Sequence, residues 1–514
     1  MTRSAELLVA TAETNAPAAQ LVIGLGGRAS HACVSVSTGD RIVGICEQER
    51  VTRVRAAGDG PSGVPEEALD DLLARTGHRR GDVTTYVTAE DAHPIAGARN
   101  VRLNHHFAHA CAAFLPSPTP AATILVCDHE PPYVSVWDGE GSAVTRVEWP
   151  WRGTGFPEIY SQCADTLGFT AQGKEQRLEA LARLEPDWRD DRATALLSLD
   201  SDRLRVVPDW RSRVEEWRGR ELPHTASKIA AALQARIGDL LIELVRRVRQ
   251  ANPGRSALCV GGSLFTNSYF NSRVKMCGEF SDVFVPINPD NAGLCVGGAL
   301  WATGRRQAVS PFLGPSFDSE EVKATLDNCK LSYQWASPAD SLSAAVEALK
   351  KGRLVAWFDG AMEWGPRALG ARSILANPFE PYVLENLNRF LKQRELWRGY
   401  ALSALDAAVR NEFDGPAASP FMECDYAPKD RTRFRHILPG PNASVRVHSV
   451  ADSTSSRFAS LLRAFGDATG LPILVNTSFN GFREPIVRSP RDAIRVFFGS
   501  GVDVLVFGEF ILTK

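Results

Sequence analysis

Gln20-Leu21-Val22-Ile23-Gly24-Leu25-Gly26 followed by Gly27, then Ala32–Val36 and Arg41–Glu47 around the turn Ser37-Thr38-Gly39-Asp40, is the stretch that decides the fold. An apolar run that stops on paired glycines, and two further runs joined by a Ser-Thr-Gly-Asp turn, predict a chain that opens as strand, turn, strand, turn, strand. Ala121–Cys127 is a second buried-type strand; it halts at Asp128, and Tyr133–Trp137 resumes after Pro131-Pro132. Between Ser227 and Arg249 apolar residues recur at helical spacing, Pro253-Gly254 ends the run, and the strand Ala257–Val260 leads to Gly261-Gly262. Strands that alternate with helices and end at Gly or Asp tips predict an α/β layered core with its site at the strand ends.

The size and balance of the chain narrow its class. At roughly 100–200 residues per domain, 514 residues predict two to four domains or two large ones. With 44% hydrophobic and 23% charged residues the composition is that of an ordinary globular protein. Lys+Arg 58 against Asp+Glu 60 leaves a net charge of -2, so no positive field gathers nucleic acid, and a nucleic-acid partner is not expected. No stretch supplies the roughly 20 apolar residues of a membrane span, so no membrane partner is expected either. Residues 1–20 lack a basic start followed by an apolar run and read as a disordered tail rather than a secretory signal. Ten cysteines without a CxxC pair speak against a zinc ribbon or disulfide scaffold and fit a reducing cytoplasm. The pattern loosens between Gln307 and Ala339, with Pro311, Pro315 and Pro338, which predicts one domain over 21–337 and a second α/β domain over 338–514.

Several stretches carry chemistry. Asn104 is a suitable N-cap for a helix ending before Pro116, which puts His105 and His109 on one face, four residues apart, with His106 about 100° away. Two such imidazoles can bind a divalent ion if oxygen ligands join them, and Asp128 and Asp290 are candidates. The alternatives are a surface histidine pair and a helix N-cap at Asp290. Gly261-Gly262-Ser263, with Asn267 and Asn271 after it, could bring backbone N–H groups close to a nucleotide; the alternative is a tight turn. Glu363-Trp364-Gly365-Pro366-Arg367-Ala368-Leu369-Gly370-Ala371-Arg372-Ser373 sets two arginines among Gly and Pro, which suits an anion. Lys392, Arg394 and Arg398 add cationic groups, and Asn476-Thr477-Ser478-Phe479-Asn480 reads as a polar tip after the strand Leu471–Val475.

Taken together, His105-His106-Phe107-Ala108-His109 with Asp128, the segment from Gly261 to Asn271, EWGPRALGARSILANP, KQREL with Trp397-Arg398, and TGLPILVNTSFNGFREPIV resemble the carbamoyltransferase family of antibiotic and nodulation-factor biosynthesis. The resemblance runs from Gln20 to Leu512. It implies an N-terminal actin/hexokinase-like duplicated domain similar to threonylcarbamoyl-transfer enzymes, and a C-terminal α/β domain similar to threonylcarbamoyl-adenylate synthase. It implies carbamoyl phosphate and Mg-ATP as substrates, carbamoyl adenylate as the intermediate, and a hydroxylated small molecule as acceptor. It further implies that His105, His109, Asp128 and Asp290 hold a divalent metal such as Fe(II), and that His31 is an active-site residue. By the same resemblance Arg367, Lys392, Arg394, Arg398, Asn476 and Ser478 contact phosphate and adenylate, with Arg372, Gly261, Gly262 and Asn267 also on the binding side.

The chain departs from the family at Ala32, where Asp is usual, at Asp128-His129-Glu130-Pro131-Pro132, where a Gly-rich loop is usual, and at Arg55, where Lys is usual. Arg55 and His129 join His31 as catalytic candidates, with His129 expected to face the N-terminal cleft. The other readings are a tRNA threonylcarbamoyl-modifying enzyme and a catalytically weakened nucleotide-binding regulatory protein.

Overall fold

The computed structural model describes residues 7–10, 21–60, 62–89, 94–219 and 225–514. Two compact units divide the chain, the first over Met1–Gln48 and Ala57–Val309, the second over Glu49–Ala56 and Ser310–Lys514.

The first unit contains β1 (Leu7–Ala10), β2 (Leu21–Gly26), β3 (Cys33–Thr38), β4 (Arg41–Glu47), β5 (Thr85–Thr88), β6 (Arg99–Leu103), β7 (Ala121–Cys127), β8 (Val134–Glu140), β9 (Ala143–Val147), β10 (Leu197–Leu199), β11 (Leu204–Val206), β12 (Ala257–Gly261) and β13 (Asp282–Phe284). One sheet has the order β1-β6-β5-β2-β3-β4 and another β13-β12-β7-β8-β9, while β10 and β11 pair as a separate hairpin. In each sheet three consecutive strands, β2-β3-β4 and β7-β8-β9, pair antiparallel, and the first of the three also pairs in parallel with a later strand that pairs in parallel with the next, β1 being an added edge strand of the first sheet. The same order and the same directions, twice, make this a duplicated α/β fold of the actin/hexokinase type. Residues 1–6 and 11–20 of the expected tail lie outside the described residues; Leu7–Ala10 instead pairs in parallel with β6 at a sheet edge.

Two apolar helices fill the space between the sheets. His105–Phe114 follows the first sheet's β6 yet packs on β7 and β12, and Leu294–Thr303 follows the second sheet's β13 yet packs on β2, β3 and β5. The helices meet where a Cβ on Gly297 would lie 2.5 Å from Ala108 O and 2.7 Å from Ala112 N. Such closeness needs glycine, because side-chain volume would force the backbones apart.

The second unit is built on one ten-stranded sheet of β14 (Gln334–Trp335), β15 (Val355–Phe358), β16 (Arg372–Ala376), β17 (Ala401–Leu405), β18 (Phe413–Asp414), β19 (Cys424–Pro428), β20 (Val445–Val450), β21 (Ile473–Ser478), β22 (Val504–Phe507) and β23 (Phe510–Thr513). Their order is β14-β23-β22-β15-β16-β21-β17-β20-β19-β18. One apolar cluster joins Ala345, Leu349, Leu461 and Phe465 to the sheet, and another joins Val322, Leu326, Ile494 and Phe497 to it. The Pro-rich stretch expected to precede the boundary at 337/338 belongs to this unit. Its proline and serine carbonyls accept hydrogen bonds from Met362 N (to Pro315, 2.9 Å), Trp364 N (to Pro311, 2.8 Å) and Trp364 Nε1 (to Ser310, 2.9 Å). The helix Ser319–Asn328 then buries Val322 and Leu326 in the same core.

Gly297→Ala should destabilise the chain by about 1–3 kcal/mol through overpacking, read as a lower denaturant midpoint in equilibrium unfolding, whereas Gly304→Ala, whose Cβ meets nothing within 4 Å, should cost only its left-handed backbone preference.

Candidate functional site

In the first unit the duplicated halves present equivalent turns. The β2–β3 turn carries His31, and the β7–β8 turn carries Asp128, His129 and Glu130. His31 adopts a left-handed backbone (φ 61°), and Gly27 (φ 66°) lets that turn close, since a Cβ there would lie 2.4 Å from His31 O.

Asp128 is the buried hub. Its Oδ2 lies 3.0 Å from His105 Nε2, and its Oδ1 lies 3.7 Å from His109 Nε2 and accepts the Ser263 N–H at 2.9 Å. The two imidazole Nε2 atoms are 3.2 Å apart. Asn104 caps the helix by accepting the Phe107 N–H, which aligns both histidines on one face. Burial opposes ionisation of Asp128, but His109, His105 and the Ser263 N–H outweigh it and hold the carboxyl well below the usual range. Burial lowers His109 to about 3, so it is neutral near pH 7. One ionised carboxylate and two imidazoles, with ligand atoms within 4.8 Å of one another, fit a divalent cation.

Asp290, the expected fourth ligand, is not in the convergent group, although the charge of Asp128 reaches it. Among the described residues the convergent group is His105, His109 and Asp128, while Asp290 Oδ1 caps the Asn291 N–H at 2.8 Å. Asn291 Oδ1 lies 3.2 Å from His109 Nε2, beside the cluster. Burial raises the Asp290 pKa and the charge of Asp128 adds to it, whereas His31 and His129 oppose the rise. Asp290 therefore feels both catalytic candidates of this unit, and His129 is exposed on its turn.

The third histidine serves the scaffold. His106 Nε2 faces Glu130 O at 2.8 Å, and a carbonyl only accepts, so Nε2 carries the hydrogen. Nδ1 then accepts from Ser135 Oγ (2.7 Å), which itself accepts from Trp137 Nε1 (2.8 Å). This buried chain pins the turn that carries Asp128 and His129. Of the Gly261-Gly262 pair, read as an approach to a nucleotide or as a tight turn, Gly262 N donates to Pro289 O, and its φ of 97° brings the chain so close that a Cβ would be 2.2 Å from Cys127 O. Asn267 is likewise engaged, as N-cap of the helix Ser268–Met276 and as donor to Gln234 Oε1 at 3.3 Å.

In the second unit the loop 363–372 folds around a buried carboxylate, since Glu363 Oε1 accepts the N–H groups of Leu369 (2.8 Å), Ala371 (3.2 Å) and Arg372 (3.2 Å). The Arg372 side chain was expected to meet an anion. It is instead fully buried, donates to the carbonyls of Asp359, Gly360, Ala371 and Pro315, and stacks 3.5 Å over the Phe358 ring. Burial lowers its pKa to about 10. Arg367 stays partly exposed on the same loop.

Lys392 Nζ donates to Ser478 O (2.7 Å), Asn480 O (3.1 Å) and Asn480 Oδ1 (2.5 Å), so its hydrogens are engaged within the protein. Burial, then Arg394 and Arg55, push its pKa well down. Arg55, expected beside the transfer residues, thus groups with the second unit and acts on Lys392. Arg394 donates to Asn388 Oδ1 (2.8 Å) and Gly399 O (3.3 Å) and lies over Tyr400, holding the turn that Arg398 closes with its own carbonyl to Asn388 Nδ2 (2.9 Å).

Asn476 lies inside β21 rather than on a tip. Its Nδ2 donates to Ala368 O (3.0 Å) and Ser403 Oγ (2.9 Å), which leaves no amide hydrogen for a phosphate; Ser478 Oγ similarly donates to Asn480 Oδ1 (2.8 Å). Ser403 in turn donates to His448 Nδ1 at 2.9 Å, across the paired strands β17 and β20. Sequence reading missed Glu363, Ser403 and His448, because only strand pairing brings the last two to Asn476.

Two measurements follow from this geometry. His105→Ala should remove divalent metal from the first unit, and full metal content by elemental analysis of that variant would overturn the ligand assignment. Burial lowers His448 to about 4 in the folded chain, below its unfolded value of about 6.5, so the unfolded state binds more protons between those values. The stability this group contributes is present above about pH 6.5 and is lost as pH falls towards 4. His448→Gln should flatten that part of the stability–pH curve measured by denaturant titration.

Residues 96–300 match the carbamoyltransferase N-terminus family and residues 346–514 the carbamoyltransferase C-terminus family. An uncharacterized protein of Synechocystis sp. is 30% identical over 469 residues, covering 80% of this chain and 75% of that one. Nodulation protein NolO of Bradyrhizobium diazoefficiens is 28% identical, covering 80% and 79%. The 3'-hydroxymethylcephem-O-carbamoyltransferase of Amycolatopsis lactamdurans is 30% identical over 288 residues, covering 55% and 53%. With the N-terminal match spanning the helix of His105 and His109 and the C-terminal match spanning the loop of Arg367, the chain belongs to the carbamoyltransferase family of enzymes.

Proposed function

We propose that this carbamoyltransferase moves the carbamoyl group of carbamoyl phosphate, by way of carbamoyl adenylate made with ATP, to a hydroxyl of a small natural product. The observation that carries the reading is the division of candidate groups between two units. One unit holds two imidazoles around a carboxylate, and the other holds Arg55, Arg367, Lys392 and Arg394 around Gly-rich turns. Guanidinium groups stabilise phosphate charge without becoming acids or bases, which suits adenylate formation.

In that step carbamoyl phosphate loses phosphate to water, and the resulting carbamate attacks the α-phosphorus of ATP and expels pyrophosphate. In the transfer step the acceptor oxygen attacks the carbamoyl carbon, AMP leaves, and the hydroxyl proton goes to a base. His31, exposed on the β2–β3 turn, is the base we assign, and His129 is the second candidate. A divalent ion held by His105, His109 and Asp128, Fe(II) being the expected one, would supply Lewis-acid stabilisation of phosphate charge. Asp128 keeps both imidazoles oriented, and His106 keeps the turn of His129 in place. All ten cysteines are free, which supports a reducing, cytoplasmic setting. Among the described residues no helix is long and apolar enough to cross a membrane.

The test separates the half-reactions in the full chain. Arg367→Ala should lower carbamoyl-phosphate-dependent pyrophosphate release by an amount corresponding to about 2–5 kcal/mol. His31→Ala should spare that release and reduce carbamoyl transfer to a hydroxylated acceptor, followed by mass spectrometry, by roughly 10²–10⁴-fold. Equal loss of pyrophosphate release in both variants would overturn the division of labour.

A further inference from the structure

We propose that Glu49–Ala56, although it follows β4 directly in the chain, is a working part of the second unit's nucleotide site, with Arg50 and Arg53 as positioning residues for the loops that carry Arg367 and enclose Lys392. The proposal rests on the nucleotide reading given above. Arg50 is buried, and its guanidinium donates to Gly365 O at 3.1 Å, two residues before Arg367. Arg53 donates to Ile486 O at 2.6 Å and to Pro485 O at 2.8 Å, with the Asp492 carboxylate 3.5 Å away.

These carbonyls are connected to the cationic groups by short paths. Glu484, next to Pro485, accepts the Asn480 Nδ2 hydrogen through its carbonyl at 2.5 Å, and Asn480 Oδ1 accepts from Lys392 Nζ at 2.5 Å. Arg53 therefore fixes the loop whose side chain cradles Lys392, and Arg50 fixes the loop that displays Arg367. A planar guanidinium can hold two successive carbonyls at once, whereas an ammonium cannot match that fork. The backbone of the segment is shaped to present both arginines. Arg53 and Ala56 have left-handed conformations (φ 61° and 55°), and Glu49 Oε2 accepts the Ala56 N–H at 2.9 Å to close the turn. Non-glycine residues hold such conformations when the surrounding contacts over-determine them.

Both loops are irregular and close no sheet ladder where the arginines reach them, so without an external donor their carbonyls would be left to water and their backbones to fluctuate. A phosphate held by Arg367 is sensitive to such motion, because guanidinium hydrogen bonds weaken steeply with distance and angle. The predicted signature is accordingly weaker nucleotide binding at little cost in turnover.

The experiment uses the full chain with Arg53→Gln, Arg53→Lys and Arg50→Gln. It measures the KM for ATP in carbamoyl-phosphate-dependent pyrophosphate release, amide hydrogen exchange, metal content and thermal midpoint. Arg53→Gln should raise the KM for ATP roughly tenfold with kcat changed less than about threefold, speed exchange in residues 480–487, and leave the metal content unchanged. Arg53→Lys should fall between Gln and wild type, and Arg50→Gln should speed exchange in residues 363–372. A lower thermal midpoint with an unchanged KM would make the segment a mere anchor and overturn the proposal, as would unchanged exchange in both loops. An active wild type with unaltered variants defeats the positioning role alone, whereas a wild type that releases no pyrophosphate defeats the nucleotide reading and this role with it.

Discussion

A carboxylate withdrawn from water must be surrounded by donors or cations, and in the first unit that demand falls on Asp128. Its two oxygens draw together a helix through His105 and His109, the start of the segment after β12 through the Ser263 N–H, and its own turn through the Glu130 N–H at 3.3 Å. Those groups come from distant parts of the sequence, and each is positioned for reasons of its own. Asn104 caps the helix, Gly262 permits the close approach to Cys127, and His106 ties down the far side of the turn. The cluster that suits a divalent ion is thus a consequence of how one buried charge is satisfied. It also explains why Asp290, a neighbouring acid, has its pKa raised rather than lowered: burial comes first, and a second negative charge beside Asp128 adds to it.

The second unit meets the same constraint with backbone rather than side chains. Glu363 gathers three N–H groups of its loop on one oxygen, and the buried Arg372 stands near enough for their charges to act on each other. Arg372 could not be buried alone, because an uncompensated guanidinium is costly; four carbonyls and the face of Phe358 complete its surroundings. Most charged residues of the signature stretches are therefore scaffold. They leave Arg367 exposed in part, while the hydrogens of Lys392 are already engaged by Ser478 and Asn480.

Much of the fold was legible in the chain. The strands β4 and β7 are as read, and the long helix Thr225–Ala251 extends the predicted Ser227–Arg249 by a few residues at each end. These elements are set by local periodicity and by Pro and Gly stops, which act within a few residues. The boundary near 337 was misplaced for a physical reason: prolines look like a linker when read locally, yet their carbonyls remain good acceptors, and here they bind Met362 and Trp364. Asn476 was read as a tip because the apolar run ends at Val475; a strand can continue through a polar residue when a neighbouring strand offers a partner, as Ser403 does.

The sequence by itself determined the α/β class and the pairing of His105 with His109 on one helix face, because each depends on local periodicity and backbone geometry. Only the tertiary structure decided which polar groups are available to a ligand. Sheet register joined Asn476 to Ser403 and His448, loop folding enclosed Arg372, and the segment Glu49–Ala56 brought Arg50 and Arg53 to Gly365, Pro485 and Ile486. Hydrogen-bonding capacity is finite and is assigned by whichever partners the fold brings within about 3 Å, so a residue type announces what it can donate or accept, and packing alone settles to whom.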